Sequence, residues 1–247
     1  MQALPGRHEW SQEELRGLLP GLAQEVLRDD PDDPIGPGLA FDETADLRKG
    51  KCTACVSPRH AGVTGKAENC VTWVFAALVT AFGQARADFD VYMPGCWATD
   101  PRRRAKAGIP GKLAFATKPE LAITQVKRLM AAGVRATQAA AGEVHGRSGE
   151  FRAALRALSL ACVVIIPCDY RVTLAKDKVI RADQAISGAV FERRSCGNET
   201  KGPRCSDQAL IATAGPREFL LIRRFPDRDK NQYAFYLSGH RKAGPRP

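Results

Sequence analysis

Cys162-Val163-Val164-Ile165-Ile166 is an unbroken apolar run between Ala161 and Pro167. A run without alternation reads as a strand covered on both faces, the habit of a strand in a parallel sheet. Residues 149–158 before it read as a helix, and Val134 to Ala141 leads into Gly142 before that. Strand, helix and strand in this order form the unit that sets two parallel strands side by side.

Toward the N-terminus the pattern changes. Leu39-Ala40-Phe41-Asp42 is a short apolar run ending on a carboxylate, and Cys52 to Val56, Val71 to Val79 and Phe89 to Tyr92 are further apolar runs bounded by Gly, Pro or charge. These read as strands of a meander. Residues 11–28 read as an amphipathic helix capped by Ser11, with Leu15, Leu18, Leu19, Leu22, Val26 and Leu27 at helical spacing and Pro20 expected to break it in two. Asp29 to Gly38 is a loop. Pro101 opens a short basic helix through Ala107, and Pro119 opens a helix to Ala132 with Leu121, Val126, Leu129 and Met130 facing inward. Toward the C-terminus, Phe219 to Arg224 and Tyr233 to Leu237 add two strands, and His240 to Pro247 is a basic tail. Antiparallel strands followed by β-α-β predict an α/β protein, a mixed sheet flanked by helices.

The chain of 247 residues is 44% hydrophobic and 26% charged, which excludes collagen-like and strongly disordered classes. No apolar run reaches the roughly 18–20 residues that span a bilayer, and the start carries Arg7, His8 and Glu9 without an apolar stretch. The expected compartment is therefore the cytoplasm, with no membrane partner. The net charge of +10 is unevenly spread, at −5 over residues 1–40, +6 over 41–150 and +9 over 151–247. A basic body with an acidic start favours a polyanionic partner, nucleic acid before membrane.

Eight cysteines diluted through the chain read as reduced thiols. Cys52 and Cys55 have zinc-ligand spacing with His60 nearby, but a structural zinc site needs a second pair, and Cys70 and Cys96 stand singly. Asp42-Glu43 offers oxygen ligands for a hard divalent cation, or is simply a polar turn after a strand.

A longer series decides between these. Phe41-Asp42-Glu43-Thr44, Lys49-Gly50-Lys51, residues 62–70 (Gly-Val-Thr-Gly-Lys-Ala-Glu-Asn-Cys), Met93-Pro94 with Trp97, and Thr99-Asp100-Pro101-Arg102-Arg103-Arg104 occur in order. They continue through Ala107-Gly108-Ile109-Pro110, Phe115-Ala116-Thr117-Lys118-Pro119, Gly142-Glu143-Val144-His145-Gly146 and Lys201-Gly202-Pro203-Arg204. By their number, order and spacing, the chain over about residues 10–238 resembles the catalytic region of DDE-type transposases of bacterial insertion sequences, specifically the insertion-sequence-701 group.

The resemblance implies an RNase H-like fold, incomplete at the C-terminus. It also implies metal-dependent DNA cleavage and strand transfer, with Mg²⁺ or Mn²⁺ held by three convergent carboxylates. Asp42 matches the family's first catalytic Asp. The second belongs at position 142, where this chain has Gly, leaving Glu143 as the adjacent carboxylate and a candidate metal ligand. The third, a Glu on a helix well beyond the last strand, is expected to be lost because the chain ends at Pro247. Arg102, Arg103, Arg104, Lys201 and Arg204 are the candidate DNA-phosphate contacts. His60 and His145 read as structural, and Trp73 and Trp97 as packing residues.

The expected organisation is a helical N-terminal remnant and linker over 1–38, the partial catalytic region over 39–238 and a basic tail over 239–247. The expected function is that of an insertion-sequence transposase, truncated and catalytically inactive, acting on DNA at element ends. The alternative is a non-catalytic DNA-binding regulator that inhibits an intact transposase, as a homo-oligomer or a mixed oligomer with it. A different metal-dependent nuclease using Asp42, Glu43 and Glu143, and a zinc module, are more distant readings.

Overall fold

Ser11 accepts a hydrogen bond from the Glu14 amide at 3.1 Å and so starts helix α1, Gln12–Val26. Pro20 lies inside α1 without ending it. A mid-helix proline costs about 3 kcal/mol, but Pro20 is buried, and the packing of its ring offsets the lost bond. The face turned inward is Pro20, Ala23 and Leu27, whereas Leu15, Leu18, Leu22 and Val26 are exposed. The computed structural model describes residues 11–28, 30–33, 35–50, 52–62, 64–111, 113–199, 202–215, 217–225 and 232–239. The basic tail after Gly239 lies outside them. Two compact units divide between Ala136 and Thr137.

The first unit is built on a meander. Strand β1 (Gly38–Leu47) pairs antiparallel with β3 (Lys66–Thr80) over its full length, from Gly38 opposite Val79 to Leu47 opposite Cys70. β3 also pairs with β2 (Ser57–Ala61) and with β4 (Gly83–Val91), with a bulge between Ala76 and Ala77. Pairing to β3 extends β1 five residues past Asp42, because main-chain bonds hold a polar strand as well as an apolar one. Leu39, Phe41, Val74, Ala76 and Leu78 share the buried face.

Residues 52–56 form a turn rather than the expected strand, with Cys55 at φ 63°. The side chains there still pack: Cys55, Val56, Val71, Met93 and Trp97 form a small core, and the Trp97 indole donates to the Val56 carbonyl at 2.7 Å. Helices α2 (Gly95–Ala98) and α3 (Pro101–Lys106) follow. Helix α4, Lys118–Ala131, packs on β3 and β4 through Ala122, Gln125, Val126 and Leu129. Leu121 and Met130, expected inward, are half-exposed.

Helix α4 opens with a reciprocal cap, in which Glu120 N–H donates to Thr117 Oγ1 and Thr117 N–H donates to Glu120 Oε2 at 2.6 Å. Thr117→Ala should cost about 1 kcal/mol in urea denaturation, and Thr117→Ser should keep most of it.

The second unit begins with β5 (Gln138–Ala141), parallel to β6 (Ala161–Ile166). Between them lie α5 (Glu143–Gly146) and α6 (Gly149–Ala157), the latter capped by Ser148 on the Phe151 amide at 3.1 Å. Strand β6 alternates: Cys162, Val164 and Ile166 are buried, but Val163 and Ile165 are exposed. One face is therefore open, where the sequence predicts cover on both. The remaining strands are β7 (Arg171–Thr173), β8 (Val179–Arg181), β9 (Glu192–Glu199), β10 (Gly202–Ala212), β11 (Glu218–Phe225) and β12 (Gln232–Gly239). β7 and β8 make a separate hairpin. β12 pairs antiparallel with β6, and β11, β10 and β9 follow in order.

An antiparallel meander followed by a parallel β-α-β, with helices on the strands, is the mixed α/β arrangement that the strand order predicts, and it agrees with the RNase H-like fold that the resemblance implies. Among the described residues no helix is long and apolar enough to cross a membrane.

Candidate catalytic and DNA-binding site

Asp42 stands in the middle of β1, not at its end, and its side chain leaves the sheet from an exposed face opposite Phe75. Its Oδ1 accepts from the Glu43 amide at 2.8 Å. Successive strand residues face opposite ways, so Glu43 points to the α4 side, where its Oε1 meets Lys118 Nζ at 3.3 Å. Asp42 and Glu43 therefore cannot act as one pair of ligands. Lys118 also lies 5.8 Å from the Tyr92 ring centre. The sequence signal for this pair was present in Thr117-Lys118-Pro119, but only the packing of α4 on β3 and β4 brings Lys118 to its partner.

Gly142, with φ −68° and ψ 177°, caps α5 and offers no ligand at the position where the resemblance implies a second carboxylate. Glu143 begins α5, exposed, and pairs with Arg147 at 2.9 Å. Asp42 belongs to the first unit and Glu143 to the second. Among the described residues no three His, Cys, Asp or Glu side chains gather as a metal site. Two divalent ions between phosphates need several converging anionic oxygens, and the described donor set does not fit that centre. Zinc fares no better. Burial pushes the Cys55 thiol up, away from the thiolate a metal needs, and His60 is described by its backbone alone.

The three arginines of α3 differ. Asp100 caps the helix on the Arg103 amide at 2.9 Å. Arg102 is exposed on the first turn. Arg103 stacks over Trp97 at 3.8 Å. Arg104 donates to the carbonyls of Pro110, Gly111 and Leu113, at 2.6 Å for the last. Lys201 lies outside the described residues, and Arg204 is described by its backbone within β10. Trp97 is buried and Trp73 half-buried beside Phe75 and Phe89. His145 is fully buried against Phe151, 5.5 Å between ring centres.

A family profile described as DDE superfamily endonuclease matches residues 1–203. The chain belongs to the DDE superfamily of endonucleases. A probable transposase for insertion sequence element IS701 from Microchaete diplosiphon is 31% identical over 166 residues, which cover 67% of this chain and 40% of that protein. The chain thus spans less than half the length of that relative. Endonucleases of this superfamily depend on divalent metal and act on DNA.

Proposed function

We propose that this chain is the partial catalytic region of an insertion-sequence transposase that engages DNA but does not cut it. The observation that carries the reading is the donor set. Asp42 is displayed on its strand, position 142 holds no ligand, and Glu143 is held by Arg147. Without convergent carboxylates a divalent ion is not gripped firmly enough to lower the barrier to phosphodiester attack. Asp42 remains the residue nearest a catalytic role, Glu143 a weak substitute ligand for Mg²⁺ or Mn²⁺, and residues 39–238 the catalytic region. DNA contact survives such a loss, because it rests on guanidinium and ammonium groups rather than on the carboxylates. Arg102 is the α3 side chain best placed for it. Arg103 and Arg104 shape the surface around it, and Lys201 and Arg204 remain further candidate phosphate contacts.

The test is plasmid nicking and strand transfer with Mg²⁺ and with Mn²⁺, alongside duplex binding by fluorescence anisotropy. We expect no cleavage in either metal, with Asp42→Asn indistinguishable from the parent. Duplex binding should weaken linearly in log K against log salt concentration. Cleavage that Asp42→Asn abolishes would overturn the inactive reading.

A second reading, inhibition of an intact transposase through mixed oligomers, is favoured by the exposed Leu15, Leu18, Leu22 and Val26 on α1. Co-purification with a full-length relative, lost on changing these four residues to Ser, is the result it requires.

A further inference from the structure

We infer that the cavity beside Arg152 in the second unit is a binding site for a phosphate group. The cavity, about 400 Å³, is lined by Arg152, Tyr170, Arg171, Thr173, Gly215 and Glu218 among others. Arg152 lies on α6 and is only 9% exposed. Its Nη1 donates to the Gly146 carbonyl, its Nη2 donates to the Tyr170 hydroxyl at 2.7 Å, and its buried Nε has no hydrogen-bond partner among the described residues. No carboxylate among the described residues forms an ion pair with it. A guanidinium held out of water by neutral acceptors alone carries an uncompensated desolvation cost, and an anion in the adjoining space, reaching its Nη groups, would offset part of it.

The rest of the wall suits such an anion. Tyr170 Oη accepts from Arg152, so its own proton is available to donate into the cavity. Arg171 opens β7 beside it and is exposed, which places a second guanidinium at the mouth. Glu218 is the one carboxylate among the described lining residues. Its Oε2 pairs with Arg156 at 3.4 Å, and its Oε1 meets Thr213 Oγ1 at 3.4 Å, so its charge is already offset. The excess is therefore positive, and two guanidiniums with a hydroxyl donor match the several oxygens of a phosphate better than the two of a carboxylate. The space exceeds one phosphate and leaves room for whatever carries it. The carrier is either a DNA strand or a free phosphate compound. The site stands independently of whether the chain cuts DNA.

The experiment uses the whole chain, with inorganic phosphate and a labelled DNA duplex as probes. Phosphate binding is read by calorimetry and by the melting midpoint against chloride at equal ionic strength, and duplex binding by anisotropy with and without phosphate. Arg152→Met tests the central group but is also liable to unfold the unit. Tyr170→Phe and Arg171→Ala, on a half-buried and an exposed residue, therefore carry the test. Saturable phosphate binding weakened about tenfold in both variants supports the site. If phosphate then displaces duplex from the parent chain, the source is a DNA strand, and if it binds without displacement, the source is a free compound. Loss of duplex affinity in both variants without binding of free phosphate also supports the site, with DNA as the source. The inference is overturned if the two variants match the parent toward both probes, a result that leaves DNA binding elsewhere on the chain untouched.

Discussion

Gly146→Ala should unfold the second unit or cost it more than about 4 kcal/mol. A Cβ at position 146 would sit 1.8 Å from the Ile165 carbonyl oxygen and 2.9 Å from its carbon. Both are backbone atoms of β6, so no rotamer change relieves the clash. Either α5 lifts from the strand or β6 loses its register against β5 and β12. Lifting α5 also removes the carbonyl that accepts from Arg152, which opens the phosphate cavity at the same time. The check is circular dichroism and urea denaturation beside Gly149→Ala, where a Cβ meets nothing within 4 Å. That control should stay within about 0.5 kcal/mol of the parent. Equal stability of the two variants would show that α5 does not rest on β6 as described.

The second large effect is expected at the junction of α1, α4 and β4. Asp88 is 2% exposed and Asp90 partly buried. Arg128 binds Asp88 at 2.8 Å and Asp90 at 2.6 Å, Gln125 donates to Asp90 at 3.0 Å, and Arg16 reaches both carboxylates at 3.6 and 3.4 Å. Arg128→Met keeps most of the stem but leaves Asp88 facing only the more distant Arg16. Stranding a buried carboxylate costs about 3–5 kcal/mol, and with Arg16 still present we expect the lower end at neutral pH.

The pH dependence follows from the direction of the Asp88 shift. Burial pushes its carboxyl up, and Arg128 pulls it partly back by hydrogen bonding and charge. An acid whose folded pKa lies above its unfolded value holds its proton more tightly when folded. Its contribution to stability is therefore complete below the unfolded value, about 3.9, and falls as pH rises through the folded one. Removing Arg128 moves the folded value higher still. Arg128→Met should therefore lose most stability near neutral pH and regain part of it on acidification toward pH 5. Adding Asp88→Asn should recover part of the loss at neutral pH and flatten the pH profile. Denaturant midpoints across pH check both statements, and a loss that is the same at every pH would assign the effect to packing rather than to the stranded charge.

Much of this protein was legible before any coordinates. Ser11, Thr117 and Ser148 mark helix starts because their hydroxyls meet amides three residues on, a purely local relation. The apolar runs around Phe41, Val74, Val164 and Leu220 became strands, and their order predicts the mixed sheet.

What failed at that level was whatever depends on a neighbour distant in sequence. Residues 52–56 look like a strand, yet Trp97 draws them into a turn by taking the Val56 carbonyl. Pro20 looks like a helix breaker until burial of its ring compensates. The leucines of α1 look like its buried face, but Pro20, Ala23 and Leu27 pack inward with Arg16 beside Asp88 and Asp90, so Leu18 and Leu22 point outward. Asp42 and Glu43 look like a pair until strand alternation and Lys118 separate them. Arg152 gave no signal at all, being one arginine among many in a basic chain. Element type and chain order are set by near neighbours and side-chain chemistry, which the linear order contains. Which face is buried, which charge is paired and which guanidinium is left facing a cavity depend on long-range packing, so only the tertiary structure decided them.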